Sequence, residues 1–481
     1  MISSPSEKLT YYARSMLPFS DAASPNLPLS RLFRLSLFQV SVGMATVLLL
    51  GTLNRVMIVE LGISAFLVAL MIALPVVTAP LRALMGYRSD NYRSAIGWKR
   101  IPFIWFGSLW QFAGLAIMPM SLIVLSGNVQ SGPLWLGYVW AGLAFLMTGF
   151  GMHMTQTAGL ALAADRASEE TRPRVVALLY VMFLVGMGVS AIIIGFLLKD
   201  FSNLRLIQVI QGTAVVTLLL NLLALWKQES LSPMTKEERQ APRPSFKKAW
   251  ADFNSGRAAG QLLAVVALGT LAFSMQDVLL EPYGGEILGL SVASTTMLTA
   301  SWALGALVGF FYAAIAMRRN KKPVILAAIA AGFGIVGFSG VIFADPFGII
   351  SLFYISTTFI GFGAGLFAVS TLTIAMALPL ALGAGRGLAL GAWGAAQATA
   401  GGLGVALGGG LRDFVNSIAL DGTLGATLAH SNTGYSFVYH TEIALLFLTL
   451  LAIGPLTRLA FNKKSDDQGK LTKLGLAELP S

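Results

Sequence analysis

Five charged residues stand at the ends of stretches that are otherwise almost wholly apolar. Arg55 and Glu60 close one such stretch, Asp277 and Glu281 close another, and Glu286 follows just beyond. A charge at the centre of a bilayer costs about 2.5 to 3.5 kcal/mol on insertion scales, so each is a functional candidate by default. Arg suits a partly dry pair with a carboxylate. An Arg55 to Asp277 ion pair is therefore expected to close the outer mouth of a helical bundle. Snorkelling into headgroups and separate local contacts are the alternatives.

Histidine supplies the second set of candidates. His153 lies within GFGMHMTQTAGLALAAD, with Gln156 close by. Neutral imidazole ligates metals and relays protons, and the plainer role is a buried side chain bonded to a neighbouring helix. His440 and Glu442 open the last apolar stretch, where His440 is a further ligand candidate, and His430 precedes them in a long loop. No carboxylate reads as clearly mid-membrane, which argues against ordinary proton coupling.

The elements that must carry these residues are membrane helices. Hydrophobic residues make up 56% of the 481 and charged residues 11%, leaving too little polar surface for a soluble domain. A span needs about 20 mostly apolar residues. Candidates lie near 33–59, 63–85, 101–124, 134–163, 175–198 and 204–226, then near 259–281, 291–317, 323–343, 347–378, 387–411 and 435–457. The alternating pattern of a membrane barrel is absent, so an all-α bundle is expected. The polar, Pro-rich first residues do not read as a cleavable signal peptide. With no cysteine there is no disulfide and no thiolate site.

The net charge of +11 resembles a nucleic-acid signal until the 33 Lys and Arg are sorted by loop. Nearly all fall on the face that holds both termini; Arg55, Lys199, Arg205 and Arg412 alone fall on the other. By the positive-inside rule both termini are cytoplasmic, and the basic face suits anionic lipid headgroups rather than nucleic acid. The expected organisation is a cytoplasmic segment 1–32, a six-helix bundle 33–226, a linker 227–258, a second bundle 259–457 and a tail 458–481. Within the linker, FKKAWADF could form a short surface helix, although a plain connector is the simpler reading.

The two bundles resemble each other. Gly149-Phe150-Gly151 recurs as Gly361-Phe362-Gly363, and Arg174 matches Arg386 at the same offset. NRVMIVELG also aligns with QDVLLEPYG, pairing Arg55 with Asp277. Such repeats imply two halves related by an axis along the membrane normal, as in the major facilitator fold. The loop GYRSDNYRSAIGWKR, with Gly86, Asp90, Arg93, Gly97, Lys99 and Arg100, resembles that superfamily's gate-like loop motif; an ordinary positive-inside loop is the alternative. The second half answers with RRNKK, which keeps the charge and lacks the Asp. Glycines 401–410, with Gly305 and Gly309, read as close helix packing, or as a flat groove for a planar ligand. Walker, HExxH and GxSxG patterns are absent, so no enzyme is expected.

LPLSRLFRLSLFQVSVGM, LLLGTLNRVMIVELG, ADRASEETRPRVVALLYVMFLVGM and MQDVLLEPYGGEILGLSV, with the loop above, resemble the PucC/LhaA group. These are the bacteriochlorophyll delivery members of the major facilitator superfamily. The resemblance implies a light-harvesting antenna assembly factor in the inner, intracytoplasmic membrane of a phototrophic bacterium. Its implied cargo is bacteriochlorophyll, with carotenoid as a further one, and its implied client is the core or the peripheral antenna. Implied partners are antenna polypeptides, the reaction-centre core complex, a bacteriochlorophyll synthase and the membrane-insertion machinery. His153, Gln156, a backbone carbonyl or water could supply the axial ligand of the pigment's metal, with His440 as a contact at the other surface. A small-solute transporter and a pigment-free scaffold are the competing functions.

Overall fold

The computed structural model describes residues 27–78, 97–127, 133–167, 171–229, 257–319, 321–377 and 386–462. Gly86, Asp90 and Arg93, FKKAWADF and nearly all of the first segment and the tail lie outside the described residues.

Among the described residues twelve helices form the molecule. In the first half they are α1 (Leu29–Thr46, prolonged by π-helical turns Val47–Leu53 and Val56–Glu60), α2 (Ala65–Val77), α3 (Ile101–Leu125), α4 (Leu134–Arg166), α5 (Arg172–Leu197) and α6 (Asn203–Leu225). The second half begins with α7 (Arg257–Ser274), which breaks into a 3-10 turn (Met275–Val278) and resumes over Leu280–Glu286. It continues with α8 (Val292–Arg318), α9 (Pro323–Phe347), α10 (Ile350–Ala377), α11 (Arg386–Leu420) and α12 (Asn432–Asn462). Among the described residues ten spans are long and apolar enough to cross a membrane, and the described part of α2 is apolar but shorter. The chain is a multi-pass membrane protein.

Lipid and protein interior are both apolar, so large apolar side chains occupy both faces of these helices, and small residues mark where helices approach closely. Phe106, Trp135, Phe196 and Leu451 point outward, while Ala and small polar residues share the inside with side chains such as Phe38, Phe338 and Tyr439.

The repeat seen in the sequence is a repeat of packing. In the first half α1 packs on α5 and α6, α3 on α4 and α6, and α2 on α4. The second half has the same pairs six helices on: α7 on α11 and α12, α9 on α10 and α12, and α8 on α10. The halves join where α2 meets α11 and α5 meets α8, two contacts that the same operation exchanges.

The repeated glycines do equivalent work. A Cβ on Gly151 would lie 2.3 Å from the Gln111 nitrogen of α3, and one on Gly363 would lie 2.7 Å from the Ala330 oxygen of α9. Gly149 faces Pro75 of α2 as Gly361 faces Trp302 of α8. On α11, Gly408 lies against the Met275 carbonyl and Gly409 against the Ala65 carbonyl, so this helix is wedged between α7 and the other half. Gly305 and Gly309 bring α8 against α10. Close packing is therefore what these small residues provide.

Candidate functional site: a chamber between the halves

The broken α7 organises the centre of the molecule. Its 3-10 turn projects Asp277 between the halves, at the wall of two adjoining cavities that share Phe183, Ser274 and Asp277. One, of about 260 Å³, has an aromatic wall of Tyr180, Phe183, Phe273, Trp302, Phe310 and Trp393. The Trp393 indole is fixed by donating to Thr371 Oγ1 at 3.1 Å. The other, of about 270 Å³, is walled by Met152, His153 and Gln156 of α4 and by Gly401 and Gly402 of α11. Gln156 Nε2 donates to Gln39 Oε1 at 3.3 Å, tying this wall to α1. His153 and Gln156 thus share one chamber wall, as their spacing of three on a helix requires.

His440 is elsewhere. It is exposed on α12, with Nδ1 2.7 Å from the Ser436 carbonyl of its own helix. The structure does not bring it together with His153 and Gln156.

Glu442 corrects a second expectation. It does not open the last span but lies ten residues into α12, about 15 Å along the helix at 1.5 Å per residue. It is fully buried, and its Oε1 accepts the Gln276 backbone N–H at 2.6 Å. The break in α7 supplies that N–H. A mid-span carboxylate does exist, so the argument against ion coupling from its absence falls.

The end of the bundle formed by the connections α1–α2, α7–α8 and α11–α12 is closed; the other end carries both termini and the linker. At the closed end Arg55 does not pair with Asp277. It pairs with Glu60, and its Nη2 donates to the Leu290 carbonyl of the second half at 3.1 Å. Winding explains the change of partner. At 3.6 residues per turn, positions five apart lie about 140° around an α-helix, whereas π-helical turns close between i and i+5. Arg55 and Glu60 are five apart and flank such a turn. Asp277 instead accepts from the side chain of Gln276.

Other contacts cross between halves at the same level. Asn54 Nδ2 donates to the Val278 carbonyl at 2.9 Å, and the Thr52 and Thr296 hydroxyls are 3.2 Å apart. Glu281 accepts from Thr299, and its Oε1 would be 2.4 Å from a Cβ on Gly51. Glu286 pairs with Arg412 and accepts from the Tyr435 hydroxyl at 2.7 Å. Arg412 also holds Asp413, whose Oδ2 caps the Phe66 N–H at the start of α2 at 2.8 Å. The five acid and base candidates of the closed end therefore divide. Arg55 and Glu60 form one latch, Glu281 a second and Glu286 a third, while Asp277 belongs to the chamber. Arg412, Asp413 and Tyr435 were missed because nothing in their local sequence sets them apart.

At the opposite end, Gly97 makes the turn into α3 with φ of +89°, a conformation suited to glycine. The Arg100 side chain is buried and its Nε pairs with Asp165 at the end of α4 at 3.0 Å. Glu229 accepts the backbone N–H groups of Arg100 and Ile101, a carboxylate at a helix N-terminus where it is favoured. Lys99 is half-buried beside it. These described residues of the loop motif brace one half internally.

A family profile described as PUCC protein matches residues 52–461. The chain belongs to the PucC family. It is 59% identical to a Rhodobacter capsulatus protein described as an uncharacterized protein in the puhA-bchM intergenic region, over 98% of each chain. It is 52% identical to the PucC protein of Rhodovulum sulfidophilum, over 83% of this chain and 88% of that one. PucC membership implies a role in light-harvesting complex assembly in purple bacteria. Among solved structures, a bacterial homologue of the human lysosomal transporter Spinster superposes with a TM-score of 0.67, covering 90% of this chain and 97% of that one at 14% identity. That likeness carries the fold, which is of the major facilitator type.

Proposed function

We propose that this PucC-family protein receives bacteriochlorophyll in the chamber between its halves and passes it to antenna polypeptides as light-harvesting complexes assemble. Carotenoid is a further cargo on this reading, and the protein is a carrier rather than an enzyme. The observation that carries the reading is the chamber itself. Pigment rings are large and apolar, and ligand sites are mostly apolar with a few placed polar groups. Here aromatic side chains form one wall, while His153 and Gln156 stand on another. Imidazole nitrogen or amide oxygen suits the open axial position of the ring magnesium. Each cavity alone is below the roughly 300 to 1,000 Å³ usual for small-molecule sites, so the ring would occupy both, across Phe183 and Asp277.

The basic end, with Arg31, Arg34, Lys99, Arg166, Arg319 and Lys322, would face the cytoplasm of the intracytoplasmic membrane. The antenna polypeptides, reaction-centre core, pigment synthase and insertion machinery are the partners this placement suits. One observation favours the transport reading: an acid, Asp277, lines the cavities, and Glu286 and Arg412 latch the far end, which also suits a small solute.

The test is a titration of purified protein in lipid nanodiscs with bacteriochlorophyll, followed by quenching of tryptophan fluorescence, since Trp302 and Trp393 line the chamber. Saturable quenching is expected, weakened at least tenfold by Ala368→Phe, which fills the cavity at a half-buried lining position. Identical, unsaturable quenching in both proteins would contradict the proposal. Counterflow of a solute in proteoliposomes would support the transport reading instead.

A further inference from the structure

We infer that the buried contact between the α7 break and α12 binds one positive charge, a proton or a sodium ion, at Glu442. Three unpartnered oxygens carry the inference. Glu442 Oε2, Gln276 Oε1 and the Tyr439 hydroxyl are all buried and make no hydrogen bond, and their residues are at most 2% exposed. Tyr439 and Glu442 stand three apart on α12 and so share a face. Gln276 is joined to Glu442 through its own backbone N–H.

Water could satisfy the hydrogen-bonding capacity of these oxygens. It could not neutralise the charge. A buried carboxylate without a counter-charge is among the most costly arrangements in a protein, and among the described residues Glu442 has no salt bridge. Arg412, the cation on neighbouring α11, is already held by Glu286 and Asp413. The donor set, one carboxylate with a neutral amide and a phenol, matches a single charge rather than a divalent ion, which takes more carboxylates. No group of three or more His, Asp or Glu suited to a metal occurs among the described residues.

This contact is wired to the chamber. Gln276 donates its side-chain amide to Asp277, the acid on the chamber wall, while its backbone holds Glu442. Charge bound at Glu442 is therefore two hydrogen bonds from the cargo space. The other titratable neighbours are Asp277 and Tyr283 from α7 and Tyr435 and Tyr439 from α12, with Asp345 of α9 acting on Tyr283.

The experiment is thermal unfolding of the pigment-free full-length protein, followed by tryptophan fluorescence. Sodium is titrated against choline at constant ionic strength, and pH is varied separately without sodium. Because no pigment is present, the result is independent of the carrier reading. Wild type should gain stability saturably with sodium, or with falling pH across a single transition, and the arm that responds identifies the charge. Glu442→Gln keeps the oxygen that accepts from Gln276 and removes the charge, so it should lose the sodium response, or the part of the pH response that wild type has beyond that of the other acids, and unfold near the wild-type plateau. Tyr439→Phe should move the midpoint by about tenfold in ion concentration, the worth of one contact to a charged group. Asp421→Asn, at an exposed site, should behave as wild type. A wild type insensitive to both ions, or a Glu442→Gln protein that responds as wild type does, would overturn the inference.

Discussion

Within the first half α1 packs on α5 and α6 as α7 packs on α11 and α12 in the second, yet what the two halves place at the centre differs. Among the described residues the buried acids Glu281 and Glu442, and Asp277 beside them, belong to the second half. The first half contributes Arg55, Asn54 and Thr52 to the shared boundary and His153 and Gln156 to the chamber. The two axial helices also depart from α-helical winding in opposite senses. α1 loosens into π turns where α7 tightens into a 3-10 turn. Irregular backbone at membrane depth is tolerated only where protein or a cavity surrounds it. A repeated scaffold has thus kept its packing and divided its chemistry, with the buried acids on one side and the neutral ligand groups on the other.

The sharpest way to break this comparison is at the equivalent glycines. Gly151→Leu and Gly363→Leu should each cost about 3 kcal/mol, the upper end of overpacking penalties, and lower the yield of monodisperse protein to a similar degree. A large effect from one and none from the other would dissolve the structural equivalence of the halves.

A smaller effect is expected at the latch of the second half. Arg412→Ala should lower stability by about 2 kcal/mol, less than a fully buried pair would lose because Glu286 is one-quarter exposed. Glu286→Gln should soften that loss when combined with it, measured as a double-mutant cycle in thermal unfolding. Additive effects would show that the two side chains do not form a unit.

Gly51→Ala comes next, at about 1 kcal/mol, because its methyl group displaces the Glu281 carboxylate. Adding Glu281→Ala should recover part of that loss. The last comparison belongs to the Arg55–Glu60 pair of the first half, whose Arg is buried and whose Glu is exposed. Arg55→Glu should reduce antenna formation, and Glu60→Arg should restore part of it, whereas Asp277→Arg should not. Near-infrared antenna absorbance in membranes reads both, and rescue by Asp277→Arg would reinstate the cross-half pair.

Twelve helices and the equivalence of Gly149 and Gly151 with Gly361 and Gly363 could be read from the sequence. Hydrophobic length and a fixed offset survive without knowledge of tertiary contacts. The α7 break could not be read, since the polar pair Gln276-Asp277 reads equally as the end of an apolar stretch. The place of Glu442 depended on where α12 begins, and a start three residues earlier moves it from the rim into the span. The partner of Arg55 depended on the local winding of α1, which its sequence does not display. His153 and Gln156 were read only as near neighbours in sequence, and the structure puts both on one wall of the chamber. Asp165, Glu229 and Arg412 act only through residues distant in sequence, which no local pattern reveals.

The central claim is that pigment resides in the chamber between the halves. It is tested most directly by the absorption spectrum and pigment extract of the protein purified gently from a phototrophic host, alongside His153→Ala and Ala368→Phe prepared identically. Near-stoichiometric bacteriochlorophyll in the wild type, lost in Ala368→Phe and shifted or lost in His153→Ala, is the predicted result. Wild-type protein free of pigment, or equal pigment in all three, would contradict it.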